Sequence, residues 1–342
     1  AGNLAFAVSN GSRNNGIYLF NVQRPDQVRI LNEPYGITSW SSLALNEAGQ
    51  IAFRATFSSA GRAYVVLSPS GSSFTPEYRA RESGLDSTSP FAYLYSPGFN
   101  DQGQMAGVVD LESPGSGRQE LHLFPTGGGS QRIAVSQALD PTSPVYRFLS
   151  VQPAVSNTGS VAFLGTFRTP SGTTLTSLWR WDGTALTLLA QKGVGSIRDL
   201  EIFPPAINDS GLVVFRAIDS TGLRAVWVSD GTALKRVATE HDLVPTDLGT
   251  GRLDQEKPSV PVFGGAPRIN ARGDVTFVAG LAPPDNDQEE WGTGIFLARS
   301  SLAPPDAGSP DAGSPDAGGT PDAGAPDAGS PDAGDAPDAS VD

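Results

Sequence analysis

The sequence predicts an all-β fold. It reads as a six-bladed β-propeller with four-stranded blades over residues 1–301, followed by a disordered, extended low-complexity tail over residues 302–342. Three observations predict this. A motif recurs in register along the chain, a short alternating apolar run follows each copy, and the composition changes abruptly after residue 301. No segment sustains the 3.6-residue apolar spacing of a long helix.

The first unit opens with a truncated copy, AGNLAF (1–6), and the run GIYLFN (16–21). The second holds LALNEAGQIAF (43–53) and AYVVLS (63–68), the third PGFNDQGQMAG (97–107) and ELHLFP (120–125). The fourth and fifth are longer: PAVSNTGSVAF (153–163) with SLWRWDGTALTLLA (177–190), and PAINDSGLVVF (205–215) with AVWVSDGTALKRVA (225–238). The last holds PRINARGDVTF (267–277) and stops after GIFLAR (294–299). The motif glycines, Gly2, Gly49, Gly103, Gly159, Gly211 and Gly273, are 47 to 62 residues apart, near the period of propeller blades.

Each part of the motif has a mechanical reason. Asn, or Ser156 in one copy, bonds its own backbone and starts a turn, and the Gly three residues on takes a left-handed conformation without steric cost. Pro opens a strand whose first N–H needs no partner. Phe53, Phe163, Phe215 and Phe277 then point between neighbouring sheets, with small residues facing the other way. DGTAL, at Asp182–Leu186 and Asp230–Leu234, predicts type I′ hairpins. A unit therefore has four strands: Pro-apolar-Asn, xVAF, GIYLF and LTLLA. The first copy lacks the first of these and the last copy lacks the fourth. Two expectations follow, a blade closed from both termini or native sequence missing before Ala1, where signal cleavage or truncation would leave a small residue in mid-repeat.

These residues carry a resemblance. The unit resembles the NxxGxxAF tandem repeats of secreted bacterial proteins that end in varied surface anchors. VATEHDLVPT (237–246) keeps a trace of the Val-Ala-Arg-x-Gly-Asp-x-x-Pro-Gly segment that often precedes the motif there. Ser156 in place of Asn and Gly107 in place of Phe depart from the pattern. The PDAG tail is similar to low-complexity spacers that precede cell-surface sorting signals in myxobacteria and their relatives. The resemblance implies an extracellular or outer-surface location and brings no chemistry assigned to particular residues.

Composition narrows the functions. The net charge of −13 argues against a phosphate-backbone binder. The tail carries nine Asp and no Lys or Arg, so residues 1–301 hold only −4. With Leu302 and Val341 as its only large aliphatics, the tail cannot offset the entropy of ordering, and it reads as a spacer. Absence of Cys excludes disulfides, thiolate metal sites and a Cys nucleophile. No apolar stretch has the length of a membrane helix.

Candidate chemistry is sparse. His122 falls on a strand and reads as a strand-face residue, whereas His241 falls in the loop TEHDL; no G-x-S-x-G elbow is present. Asp110, Glu112, Asp199 and Glu201 are possible channel carboxylates for a glycosidase-like pair. In LAPPDNDQEEWGTG (281–294), Asp285, Asp287 and Glu289 read as a solvated acidic hairpin tip, with Ca2+ ligation as the alternative; no other cofactor is expected. Tyr35, Trp40 and Trp291 serve either as aromatic platforms for sugar or protein, or as plugs between blades.

The expected function is a monomeric binding module for a glycan or an extracellular protein, held on an acidic stalk. The alternatives are a glycan-active enzyme using channel carboxylates and a structural component of the envelope or matrix.

Overall fold

A computed structural model describes residues 2–10, 13–31, 36–58, 61–255, 260–286 and 289–300. The chain divides into two units, Ala1–Ala303 and Pro304–Asp342, and all described residues belong to the first. Among them there is no α-helix, and six antiparallel sheets follow one another along the chain.

Blade 1 comprises β1 (Asn3–Asn10), β2 (Arg13–Asn21) and β3 (Arg24–Leu31). Blade 2 comprises β4 (Ser39–Trp40), β5 (Ala44–Leu45), β6 (Ile51–Phe57), β7 (Gly61–Ser70) and β8 (Ser73–Arg81). Blade 3 comprises β9 (Tyr93–Leu94), β10 (Gly98–Phe99), β11 (Met105–Asp110), β12 (Gln119–Phe124) and β13 (Gln131–Val135). Blade 4 comprises β14 (Arg147–Phe148), β15 (Ala154–Val155), β16 (Val161–Arg168), β17 (Thr174–Trp181) and β18 (Leu186–Gln191). Blade 5 comprises β19 (Ile197–Leu200), β20 (Ala206–Ile207), β21 (Val213–Asp219), β22 (Arg224–Ser229) and β23 (Leu234–Thr239). Blade 6 comprises the hairpin β24 (Leu243–Thr246) and β25 (Gly249–Leu253), then β26 (Phe263–Ile269), β27 (Val275–Ala282) and β28 (Gly292–Ala298).

The four expected strands per unit are present in blades 2–5, with the innermost one broken into two short pieces on the same edge of the second strand. Among the described residues, blade 1 has no innermost strand and β28 has no outer partner. One expectation is corrected here. Among the described residues the two ends do not share a blade, because β1 pairs with β2 alone and the last repeat forms its own sheet.

Period-two alternation puts successive residues of the second strand into different seams. Val161 and Phe163 pack towards blade 3, Ala162 and Leu164 towards blade 5. Five buried clusters result, one in each seam from blades 1 and 2 to blades 5 and 6. Phe53, Phe163, Phe215 and Phe277 are buried in them, each side chain contributing roughly 1.5–3 kcal/mol by removal from water. A bulge recurs where the third strand meets the fourth, for example at Tyr64/Val65, Leu178/Trp179 and Val226/Trp227, and it sharpens the twist of the outer strand.

The DGTAL hairpins form, but not as type I′ turns. Type I′ needs positive φ at Asp as well as Gly, and the only described non-glycine residues with positive φ are Ser58 and His241. Instead Asp182 closes a four-residue loop with its carboxylate, accepting from Thr184 N, Thr184 Oγ1 and Ala185 N at 3.0, 2.9 and 2.9 Å. Asp230 repeats this with Thr232 and Ala233. The donated backbone hydrogen bonds from Ala185 and Thr184 pull the Asp182 carboxyl down to about 2.

Candidate functional site

The motif builds the wall of a central channel. In each copy the apolar residue before the Asn faces the axis, so Leu45, Phe99, Val155, Ile207 and Ile269 form a ring contributed by blades 2–6. Beyond the ring, the residues that follow the Asn (Glu47, Asp101, Asn157, Asp209 and Ala271) encircle the channel mouth, a hollow of about 380 Å³. No Lys or Arg lines it. The opposite end, of about 500 Å³, is bordered by Gln152, Phe203, Gly265 and Arg268 among others.

The repeated Asn makes the turn as its sequence predicts. Asn100 Oδ1 accepts from Gln104 N at 2.8 Å, and Gly103, at φ +73°, donates back to Asn100 O. It also does something its sequence does not reveal. Asn46 Nδ2 donates to Asn100 O, Asn100 Nδ2 to Ser156 O and Asn208 Nδ2 to Asn270 O, at 3.3, 2.7 and 3.0 Å. Each of these Asn side chains thus ties its blade to the next. Ser156 has no amide to give, and its blade reaches the next through the following residue: Asn157 N donates to Asp209 Oδ1 at 2.7 Å. Asn157 Nδ2 lies 3.1 and 3.2 Å from Asp101 Oδ2 and Asp209 Oδ2. With Glu47 N donating to Asp101 Oδ1 and Asp101 N to Asn157 Oδ1, a hydrogen-bonded belt spans blades 2–5.

The carboxylates singled out in sequence are not gathered at the channel. Asp110 is buried and accepts from Tyr95 Oη at 2.9 Å, burial raising its pKa. Glu112 pairs with Arg118, Asp199 with Lys192, and Glu201 with the buried Arg216 at 2.8 Å. Trp40 is half-buried against the cluster of blades 1 and 2, and Trp291 against that of blades 5 and 6. Asp285 and Glu289 are exposed. Tyr35 and Asp287 lie outside the described residues, as does the tail.

His122 is buried beside Phe91 and Phe124, as a strand residue would be. Its Nε2 lies 2.7 Å from Glu120 Oε2 and its Nδ1 3.1 Å from Ser130 Oγ. A carboxylate only accepts, so Nε2 carries the proton and Nδ1 receives the exposed Ser130 hydroxyl. Burial lowers the His122 pKa and so disfavours the charged ring. His241, at φ +75°, stands with Glu240 and Asp254 in the one group of three or more described His and carboxylate residues whose ligand atoms lie within 4.8 Å of one another. Arg252 and Arg224 already pair with those two carboxylates.

Sheet order, seam clusters and axial channel define a six-bladed β-propeller, and among its described residues no helix is long and apolar enough to cross a membrane. Residues 14–197 and 155–304 match the model of a family of unknown function, DUF7453, and the chain belongs to that family. No curated protein sequence matches it. Among solved structures it is similar to a putative TolB from Agrobacterium tumefaciens, at 15% identity and TM-score 0.44 over 83% of this chain and 87% of that one. It is also similar to the Aleuria aurantia lectin complexed with alpha-methyl-L-fucoside, at 10% identity and TM-score 0.38 over 88% and 96%. A puromycin-hydrolyzing peptidase of Mycobacterium tuberculosis matches at 14% identity and TM-score 0.44 over 80% of this chain and 40% of that one.

Proposed function

We propose that this chain is a ligand-binding propeller that works outside the cell, held on residues 302–342 as a spacer, and that a hydroxyl-rich ligand of the glycan type seats at its channel mouth. One observation carries the reading. The mouth sets an apolar ring inside a ring of acceptor side chains, Glu47, Asp101, Asn157 and Asp209, without a cationic side chain. Sugars present hydroxyl donors around apolar C–H faces, and acceptors of this kind orient such ligands while apolar contacts hold them. The repeats and the Pro-Asp-Ala-Gly units support display at a surface. Screening the full chain on arrayed glycans and extracellular polymers tests the proposal. Binding is expected, with at least a tenfold loss on Glu47→Gln, Asp101→Asn and Asp209→Asn combined. A silent array, or equal binding by the variant, rejects it.

A second reading, hydrolysis, has one observation in its favour: Ser130 hydrogen-bonds a neutral, carboxylate-oriented His122 and follows three glycines, Gly127–Gly129, all at positive φ. Labelling by a fluorophosphonate, lost in Ser130→Ala, is the expected mark of that activity; an unlabelled wild type removes it.

A further inference from the structure

In blades 2–5 the third strand is paired on both edges, its outer edge by β8, β13, β18 or β23. In blade 6 the third strand, β28, pairs only with β27 among the described residues. In an antiparallel strand every second residue turns both its N–H and its C=O to the far edge, so β28 offers a row of backbone groups that no described strand matches. Two adjoining hollows of about 690 and 300 Å³ run along that edge and share Val237 and Ala298. The larger is floored by Phe277 and Phe296 and faced by Val237 of β23. This is where the sister blades place their fourth strand.

The sixth seam gives an independent observation. Each of the other five seams holds a buried cluster, yet Leu4, Phe6 and Val8 of β1 are 54%, 42% and 38% exposed. They occupy the motif positions of Ile51, Phe53 and Ala55, which face the preceding blade. On β28, Ile295 and Leu297 are 84% and 51% exposed, while Phe296 and Ala298 pack towards blade 5. Two apolar surfaces thus border the place of the missing strand.

We infer that blade 6 is a strand acceptor: its outer edge takes an extended segment of a partner polypeptide as an antiparallel strand against β28. The sister blades specify the chemistry of the occupant. Their fourth strands have five to nine residues. Three of them carry an apolar–Ala pair, Ile133–Ala134, Leu189–Ala190 and Val237–Ala238, packed towards the following blade. In blade 6 that pair lies beside Ile295 and Leu297 and across Leu4, Phe6 and Val8, and closes the seam. The tail of this chain does not suit the role, since a Pro recurs every five or six residues between Pro305 and Pro337 and cannot donate to a ladder. A second copy has no fourth strand to spare, because each of those described is already paired.

A synthetic peptide of residues 184–193 (TALTLLAQKG), which contains β18, is the probe, added to the full 342-residue chain. Saturable binding is expected, with slowed hydrogen exchange across Gly292–Ala298. Replacing Leu189 and Ala190 by Asn in the peptide weakens binding at least tenfold. So does Ile295→Asp with Leu297→Asp in the protein, whose melting transition stays in place because both side chains are exposed. Absence of binding, or protection that maps elsewhere, overturns the inference. So does a β28 already protected in the free chain, whether by a second copy, seen as concentration-dependent mass, or by residues 302–342, seen as exposure on their deletion.

Discussion

At position 107 a glycine stands where the other five copies of the motif carry Phe, and Tyr64 of the preceding blade fills the space. A Cβ on Gly107 would meet Tyr64 Oη at 2.3 Å, while the buried Tyr64 donates to Val108 O at 3.2 Å. Burial above all, with smaller contributions from Glu82 and Tyr95, pushes the Tyr64 phenol far above its ordinary range, so it serves as a neutral donor. Gly107→Ala is expected to destabilise the chain by about 1–3 kcal/mol through overpacking. Tyr64→Ala should cost about 3–5 kcal/mol through the cavity it leaves. Combined as Tyr64→Ala with Gly107→Phe, the two should recover stability relative to Tyr64→Ala alone, measured by urea unfolding. A double variant less stable than either single one would show that the positions do not exchange volume. The sequence marks Gly107 as a departure. It does not name the compensating residue, because Tyr64 lies 43 positions earlier in an ordinary alternating run.

The inner-strand turn joins local and long-range chemistry in one side chain. The Asn–Gly spacing makes the turn legible, since both partners of that hydrogen bond lie within a single repeat. The tie to the next blade is not legible, because its acceptor is a carbonyl some fifty residues away and carbonyls carry no sequence signal. Asn157 shows how thin the remaining signal was: an amide beside Ser156, where neighbouring copies have Glu or Asp, could have been read as compensation. Asn100 makes both bonds, whereas Asn270 bonds within its own turn and to Asp274. Asn100→Ala is therefore expected to cost about 0.5–1.5 kcal/mol more than Asn270→Ala, because it removes a hydrogen bond between blades and leaves the Ser156 carbonyl with Gly159 N as its one donor among the described residues. Equal losses in denaturant titration would mean that the tie contributes nothing beyond the turn. The type I′ expectation failed for a related reason: Thr after Asp-Gly lets the Asp carboxylate organise a four-residue loop, and the dipeptide alone does not distinguish the two.

On the scale of the molecule, six repeats gave six sheets, and alternation assigned each buried residue to a seam. The state of the sixth seam was beyond reach, since pattern reports which faces are apolar and not whether two of them meet. The acidity of the whole protein was also misleading until divided, as residues 1–301 carry only −4 of the −13. If residues 302–342 act as a spacer, deleting 303–342 leaves the melting midpoint of the propeller within about 2–4 °C, the shift that 1 kcal/mol produces in a domain of this size. A larger fall would make the tail part of the folded body.

The belt at the mouth has a consequence for how the blades hold their places. It links blades 2–5 through the turn N–H groups of Glu47, Asp101 and Asn157 and the side chains of Asp101, Asn157 and Asp209. The apolar seams between those blades resist separation but are indifferent to small sliding, because burial is non-directional. Hydrogen bonds are directional. The belt therefore works as a row of stitches that fixes the offset of each blade against the next, and with it the bore of the mouth.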